Sequence, residues 1–323
     1  MDISQISIKP ADPTLHFASI AALMTAQQTE PTTEQSLFDW YKRQQEQGIQ
    51  FEVGLSPDSR VLGFTGIYRM VGSRQQCYGV YLIVSPEYRH HGFGSLLYQS
   101  LLRLASEVEA NTLVTWVRDN SPESQHFATQ RGFIQKRHSI EMCLNLASWD
   151  DRPYEAIVQS LQAQGFSFTN IAELGDTEEA RRRLYTLNNT TAATDPGSDG
   201  SSPWATFEDF DRSICQANWY RPEGQIVAID THTGEWAAMS AITVFDGADH
   251  AYNLFTGTDV RYRGRKLAQA VKTLALLKAR TFGVDTVRTS HTSINEPMIA
   301  IDTKLGYVRK PGTFVMEKNL THA

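Results

Sequence analysis

Hydrophobic and polar positions along this chain switch repeatedly between two periods. Residues 4–10 alternate as a short strand does, and residues 14–28 and 33–47 carry helical spacing, the second run stopped by Gly48. FEVGLS, VLGFTGIYRM and QCYGVYLIV are rich in β-branched and aromatic residues and predict three strands, with SPDS as the turn between the first two. A helix is expected over residues 91–109, its core face marked by Leu96, Leu97, Leu101 and Leu104. The strand TLVTWV, the helix SPESQHFATQ and a last strand pair through IEMCLNL follow.

The second half runs through the same order. GFSFTNIAEL reads as a strand and DTEEARRRLYTLNN as a helix, followed by the polar loop TAATDPGSDGSSP (191–203) and the helix FEDFDRSIC. QIVAID, EWAAMSAITVF and HAYNLFTGT are strands, with THTG a turn, before a helix over 264–282, the strand DTVRTS, the helix INEPMIAIDTKL and the strand TFVMEKNL. The halves align without a gap over a long stretch: Tyr88 with Tyr262, Arg89 with Arg263, Gly94 with Ala268, Gly132 with Gly306, Phe133 with Tyr307 and Leu146 with Leu320, each pair 174 residues apart. One constant offset across a turn, a helix, a strand and a second helix implies an internal duplication. Two domains follow, 1–147 and 148–323, divided at the polar SWDDRPY segment. Each is expected to be of the α/β (α+β) class, a mixed, mostly antiparallel twisted sheet flanked by helices.

Composition narrows the function. The formal net charge is -6, which argues against nucleic acid as partner. Three cysteines without a CxxC pair give neither a disulfide framework nor a zinc knuckle, so no metal is expected and a reducing cytoplasmic setting fits. The N-terminal segment has no basic start and no apolar stretch, and no run is long enough to span a membrane, so no membrane partner is expected.

The chemistry gathers where YGVYLIV gives way to EYRHHGFGSLLYQSLLRLA, and again at RYRGRKLAQAVKTLALL. A strand, a glycine-bearing turn and a helix start together make an anion site, because the first helical amides are free and the helix dipole is positive there. GxxxxGK[ST] and GxGxxG are both absent. What stands there is Arg89-x-x-Gly92-x-Gly94 after the fourth strand of a β-α-α-β-β-β-α-β-α-β order. This resembles the Q/R-x-x-G-x-G/A motif of the GNAT superfamily of N-acetyltransferases, and two copies resemble a tandem GNAT protein of the mycothiol synthase kind. The resemblance implies acetyl-CoA, or another acyl-CoA, as cosubstrate, and direct acyl transfer to a small-molecule or peptide amine. It implies cofactor contacts from Leu82, Ile83, Val84, Arg89, His90, His91, Gly92, Phe93, Gly94 and Ser95 in the first copy. In the second copy they come from Thr258, Val260, Arg263, Gly264, Arg265, Lys266, Leu267 and Ala268, where Lys266 departs from the motif by replacing its first glycine. Asn295 and Asp302, with Asn120 as a looser counterpart, are further contacts implied for the CoA arm.

Catalytic groups are less evident. The tyrosine that relatives carry four residues before the second glycine corner is replaced by Ala128 and Asp302, and the glutamate of some relatives by Tyr78 and Tyr252. Tyr78, Tyr252 and His291 are the remaining candidates; a tyrosine of ordinary pKa near 10 is a poor base at neutral pH. His250 and His291 stand at strand ends, where a surface histidine is the plainer reading. His90 and His91 read as solvent-facing turn residues, ARRRLY as the wet side of a helix, and Trp116 as either acyl-pocket lining or packed core. An N-acyltransferase with one or both halves active is expected, a non-catalytic acyl-CoA-binding or interaction protein on the same scaffold being the alternative. A tandem chain supplies its own pairing, so a monomer is expected.

Overall fold

The computed structural model describes residues 5–27, 31–70, 76–196, 198, 200 and 202–320. Ser4 and Gln28, the outer ends of two expected elements, and Gly197, Asp199 and Ser201 of the expected loop lie outside the described residues. The chain forms two units: Met1–His138 with Thr313–Ala323, and Ser139–Gly312.

The first unit runs β1 (Ser7–Pro10), α1 (Pro13–Thr25), α2 (Glu34–Gln44), β2 (Gln50–Leu55), β3 (Val61–Arg69), β4 (Cys77–Val84), α3 (Phe93–Glu107), β5 (Thr112–Arg118) and α4 (Pro122–Gln130), and then enters β6 (Ile134–Asn145). The side chain of Asp12 caps α1, and Thr33 with Ser36 forms a capping box at α2, so both starts follow from local chemistry. Strands β1 to β4 pair antiparallel in sequence order, and β4 pairs parallel with β5. Tyr81 and Ile83 of β4 pack in the cluster with α1 and α2, while Val80, Leu82 and Val84 pack with α3. This is the period of two that a sheet covered on both faces requires.

The second unit contains α5 (Arg152–Ala163), β7 (Phe166–Asn170), α6 (Glu178–Ala192), α7 (Phe207–Phe210), β8 (Gln225–Asp230), β9 (Trp236–Thr243), β10 (Ala251–Thr258), α8 (Leu267–Arg280), β11 (Thr286–Thr292) and α9 (Glu296–Leu305), and the chain ends in β12 (Val308–Asn319). Strands β7 to β10 pair antiparallel and β10 pairs parallel with β11. Its core packs α5, α8 and α9 against the sheet through Leu161, Leu267, Val271, Leu276, Val287 and Leu305.

Three differences from the sequence reading stand out. The segment taken as a linker starts a helix: Pro153 lies in the first turn of α5, where its missing N–H costs nothing. The strand pair expected through IEMCLNL is one continuous strand of 12 residues, β6. The cut at 147/148 is not the one the packing makes. The final segment Thr313–Asn319 pairs antiparallel with β5 and completes the first unit, whereas Ser139–Asn145 of β6 pairs with β11 and completes the second. Met316 accordingly sits in the core cluster of α3 and β5.

Removing Thr313–Ala323 therefore deletes a strand of the first unit rather than a tail. Hydrogen exchange on the truncated chain should show amides of Thr112–Arg118 losing protection while β8 and β9 keep theirs. Loss confined to the second unit would contradict this assignment of the last strand.

Candidate functional site

Beyond β4, residues Pro86–Tyr88 form one 3-10 turn, and the chain passes Arg89 to Gly92 before α3 begins. His90 (φ 63°) and Gly92 (φ 84°) are both left-handed. Alternating left-handed residues turn successive amides toward a common side, a geometry that receives anions. Among the described residues the N–H groups of His90 to Gly94 make no backbone hydrogen bond, and the first to do so are Ser95 and Leu96, both donating to the Gly92 carbonyl.

The second loop reproduces this backbone with different residues. Gly264 (φ 78°) stands 174 residues after His90, and Lys266 (φ 67°) 174 after Gly92. The glycine has moved from the second left-handed position to the first. Lys266 accepts a strain of about 1–2 kcal/mol for a side chain in that conformation, and it is exposed, so its ammonium adds charge beside the free amides. The N–H groups of Gly264 to Ala268 make no backbone hydrogen bond among the described residues. Arg89 Nε donates to the Val84 carbonyl at 3.2 Å and Arg263 Nε to the Thr258 carbonyl at 3.4 Å, the same contact at the same offset. Phe93 and Leu267 are core residues, so at these two positions the loops offer amides and not side chains. A Cβ at Gly94 would lie 3.0 Å from the Phe127 ring, a tight approach that a small residue relieves. Thr258 Oγ1 is buried with no hydrogen-bond partner among the described residues. Free amides and an orphaned hydroxyl at the strand end fit the pyrophosphate arm of a nucleotide cosubstrate.

Each loop lies above a fork. Strands β4 and β5 pair only over Cys77–Gly79, and β10 and β11 only over Ala251 and Tyr252, before they diverge. The forks differ in one respect. β4 keeps an unbroken register with β3, but β10 carries a bulge, Asn253 facing Ile242 and Phe255 facing Ala241, so that Leu254 has no cross-strand partner. The Asn253 amide pins the bulge by donating to the Ala241 carbonyl and to Ser240 Oγ, both at 2.9 Å, while its own carbonyl accepts from Thr289 Oγ1 at 3.0 Å. The first unit has Gly79 at this position, because the Tyr68 ring occupies the space a side chain would need.

Beside the second fork lies a buried ionic cluster. Lys272 of α8 and Asp302 of α9 are fully buried and paired, and His291 Nε2 of β11 meets the other Asp302 oxygen at 2.5 Å. Burial pulls Lys272 below the ordinary lysine range, with the Asp302 charge opposing. For Asp302 burial acts upward, but the Lys272 charge and the bond and charge of His291 prevail and hold the carboxyl below its ordinary range. The ring of Tyr307 lies 5.3 Å from the Lys272 ammonium, and burial, then the Asp302 charge, pushes its hydroxyl well up. Outside this cluster Asn295 Nδ2 donates to Asp195 Oδ1 at 2.6 Å; burial raises the Asp195 carboxyl while His291 and Arg263 act against it. The first unit has Tyr98, Val117 and Ala128 at the positions of Lys272, His291 and Asp302.

The acetyltransferase (GNAT) family model matches residues 17–133. No curated protein matches the sequence. Among solved structures, a GCN5-related N-acetyltransferase from Sphaerobacter thermophilus is 17% identical with a TM-score of 0.71, over 98% of this chain and 96% of that one. A tandem GNAT protein from the clavulanic acid biosynthesis pathway is also 17% identical, TM-score 0.70, over 98% and 99% of the two chains. Residues 17–133 thus carry the GNAT family signature, and the chain as a whole has the fold of tandem GNAT proteins. A glucosamine N-acetyltransferase region of a fungal multi-domain β-N-acetylglucosaminidase shares the fold too, at 13% identity and a TM-score of 0.72, over 97% of this chain and 38% of that one.

The tandem GNAT fold distributes the candidate residues unevenly. Tyr78 is packed in the core with its hydroxyl donating to the Val108 carbonyl at 3.3 Å, away from the fork. Tyr252 donates to Ser290 Oγ at 2.9 Å across the last paired residues of β10 and β11. Asn120 is exposed in the turn before α4, and Asn295 caps α9. Asp302 is consumed by Lys272 and His291 and has no exposed surface to offer a CoA arm. His250 is buried beside Asp249 rather than on the surface, and Trp116 is 41% exposed rather than packed. His90 pairs with Glu123. Lys272, Asn253 and Asp195 were missed. For Lys272 a signal existed: α8 is buried nearly all round, and a lysine inside such a helix requires a charged partner.

Lys272→Met should cost about 3–5 kcal/mol in denaturant unfolding, because it strands a buried carboxylate, whereas Lys272→Met with Asp302→Leu should recover most of that loss. The pair also limits acid stability. The Asp302 carboxyl is held below the ordinary aspartate range, so its contribution is complete above that range and is lost as pH falls through the lower folded value. The double variant should lose less stability than wild type on acidification below about pH 4.

Proposed function

We propose that the protein is an acyl-CoA-dependent N-acyltransferase, with acetyl-CoA as donor and a small or peptide amine as acceptor, and that the chemistry belongs to the second unit. The observation that carries this assignment is the bulged β10. A strand that leaves Leu254 unpaired at the opening of a fork, below a loop of free amides, provides a fixed dipole at a carbonyl that accumulates charge during acyl transfer. Binding a thioester along the fork with its pyrophosphate on residues 264–268 aligns donor and acceptor, and positioning of this kind lowers a barrier by itself.

The first unit keeps the anion loop but has neither the bulge nor the ionic cluster. On the α1/α2 face of β3 and β4 its rings pack together: Tyr68 and Tyr81 stack with centroids 5.5 Å apart, and Trp40 meets Tyr68 edge-on at 5.0 Å. That arrangement supports a nucleotide-binding or purely structural role for this half. Among the described residues no helix is long and apolar enough to cross a membrane.

Ser95 and Gln269 hold equivalent positions in the first turns of α3 and α8, and a glutamate there suits the helix while repelling a bound phosphate. Calorimetry with acetyl-CoA should show Gln269→Glu weakening one site by about tenfold or more, roughly 1.4 kcal/mol. At subsaturating acetyl-CoA the same variant should slow CoA-thiol release to a panel of small amines, aminosugars and peptide N-termini by about tenfold. If Ser95→Glu slows release instead, the first unit carries the reaction. If wild type binds no acetyl-CoA, the acyltransferase reading fails.

A further inference from the structure

We propose that His291 is the proton-transfer group of the second unit, an imidazole held by Asp302 and Lys272 so that Nδ1 stays open to the reacting amine and thiolate. This rests on the acyl-transfer reading above. Four observations support it. Val287, Thr289 and His291 share one face of β11, and Val287 packs in the core with α8 and α9, so that face is the one those helices cover. The β10–β11 pairing ends at Tyr252 and Arg288, so His291 stands three residues beyond it, on the open flank of the fork. Its Nε2 is taken by Asp302, and its Nδ1 has no partner among the described residues. Its side chain keeps 10% of its surface while Asp302 and Lys272 behind it keep none.

The chemistry of the cluster follows from its charge balance. A carboxylate behind an imidazole fixes the tautomer with the proton on Nε2 and stabilises the imidazolium once formed. Buried alone, that carboxylate would itself take up a proton; Lys272 prevents this by pairing with it. The other groups facing this region are Asp195 beyond α6, Arg263 in the loop and the Tyr307 hydroxyl.

In the transfer step the amine nitrogen forms a bond to the thioester carbonyl carbon and the carbon–sulfur bond breaks. One proton leaves nitrogen and one reaches the CoA sulfur. Neutral His291 takes the first at Nδ1 and returns it to the thiolate, so the enzyme ends as it began. His291 is the group that meets substrate; Asp302 and Lys272 are positioning residues. With Val117, Ala128 and Tyr98 at these places, the first unit has no equivalent.

The test uses the full chain labelled with nitrogen-15 in its histidine rings, with His291→Gln to assign the resonance. The expected spectrum shows neutral His291 protonated on Nε2, and its signals shift on adding CoA. His291→Gln should bind acetyl-CoA as wild type does but release thiol to the amine panel about 100-fold more slowly. Asp302→Asn should slow thiol release to the amine panel while acetyl-CoA binding stays as in wild type, a split between turnover and binding that a purely structural role would not give. If Asp302→Asn does not fold, wild type against His291→Gln still decides. An Nδ1-protonated neutral ring, His291 signals unmoved by bound CoA, or an undiminished rate in His291→Gln would each overturn the proposal and leave the acyltransferase reading intact. Absence of acetyl-CoA binding to wild type would overturn both.

Discussion

Two parallel strands that stop pairing within a few residues leave backbone groups unsatisfied inside a sheet, and the second unit is arranged around that opening. β10 and β11 separate after Tyr252 and Arg288. Orphaned backbone groups are costly unless something satisfies them, and the local chemistry works on this problem. Asn253 bonds the carbonyl freed by the bulge, Thr289 bonds the Asn253 carbonyl, and Tyr252 bridges to Ser290 at the last paired position. Leu254 is left out of the ladder altogether. The same opening in the first unit is handled by bulk: Gly79 admits the Tyr68 ring against β4, and Gly66 admits the Phe51 ring against β3.

The anion loops show that a motif in sequence and a motif in backbone are different things. The first copy spells Arg-x-x-Gly-x-Gly and the second does not, yet both place left-handed residues at the same two positions. A glycine at either position relieves half the strain, and each copy has chosen a different one. The letter at Gly94 is there for another reason, the approach of Phe127. Reading Lys266 as a defect in a glycine pattern therefore undervalues the second loop: the conformation persists, and the substitution adds a cation at a modest conformational cost.

Most of the fold was legible because periodicity and turn chemistry are local. The fork loops, the capped helices and the duplication all follow from short-range patterns and one constant offset. The strand exchange was not legible, since TFVMEKNL has the same alternation whether it pairs with β5 or with a strand of its own half. The helix α5 was hidden by a proline that marks a linker in one context and a helix start in another. The site was legible by halves. Loop residues could be named from spacing, but Asp302 reads as a ligand contact until its partner is known. That partner, Lys272, lies 30 positions earlier on another helix. No sequence window contains both, and a buried ion pair makes sense only when each member is seen beside the other.

That pair also explains why the halves diverged in the way they did. A fully buried Lys–Asp pair is a poor way to stabilise a domain, because desolvation consumes what Coulomb attraction returns, and apolar residues of similar volume usually serve as well or better. The first unit has taken the apolar solution, with Val117 and Ala128 in its core cluster and a tyrosine at the position of the lysine. Retaining the ionic solution in the second unit carries no stability advantage over that alternative, and its electrostatic effect falls on the histidine that shares the carboxylate. Among the described residues of this cluster His291 is part-buried, while Lys272, Asp302 and Tyr307 are buried behind it. A part-buried histidine held by a compensated carboxylate beside a bulged strand is what the second half keeps, and Val117, Ala128 and Tyr98 leave the first half without a counterpart.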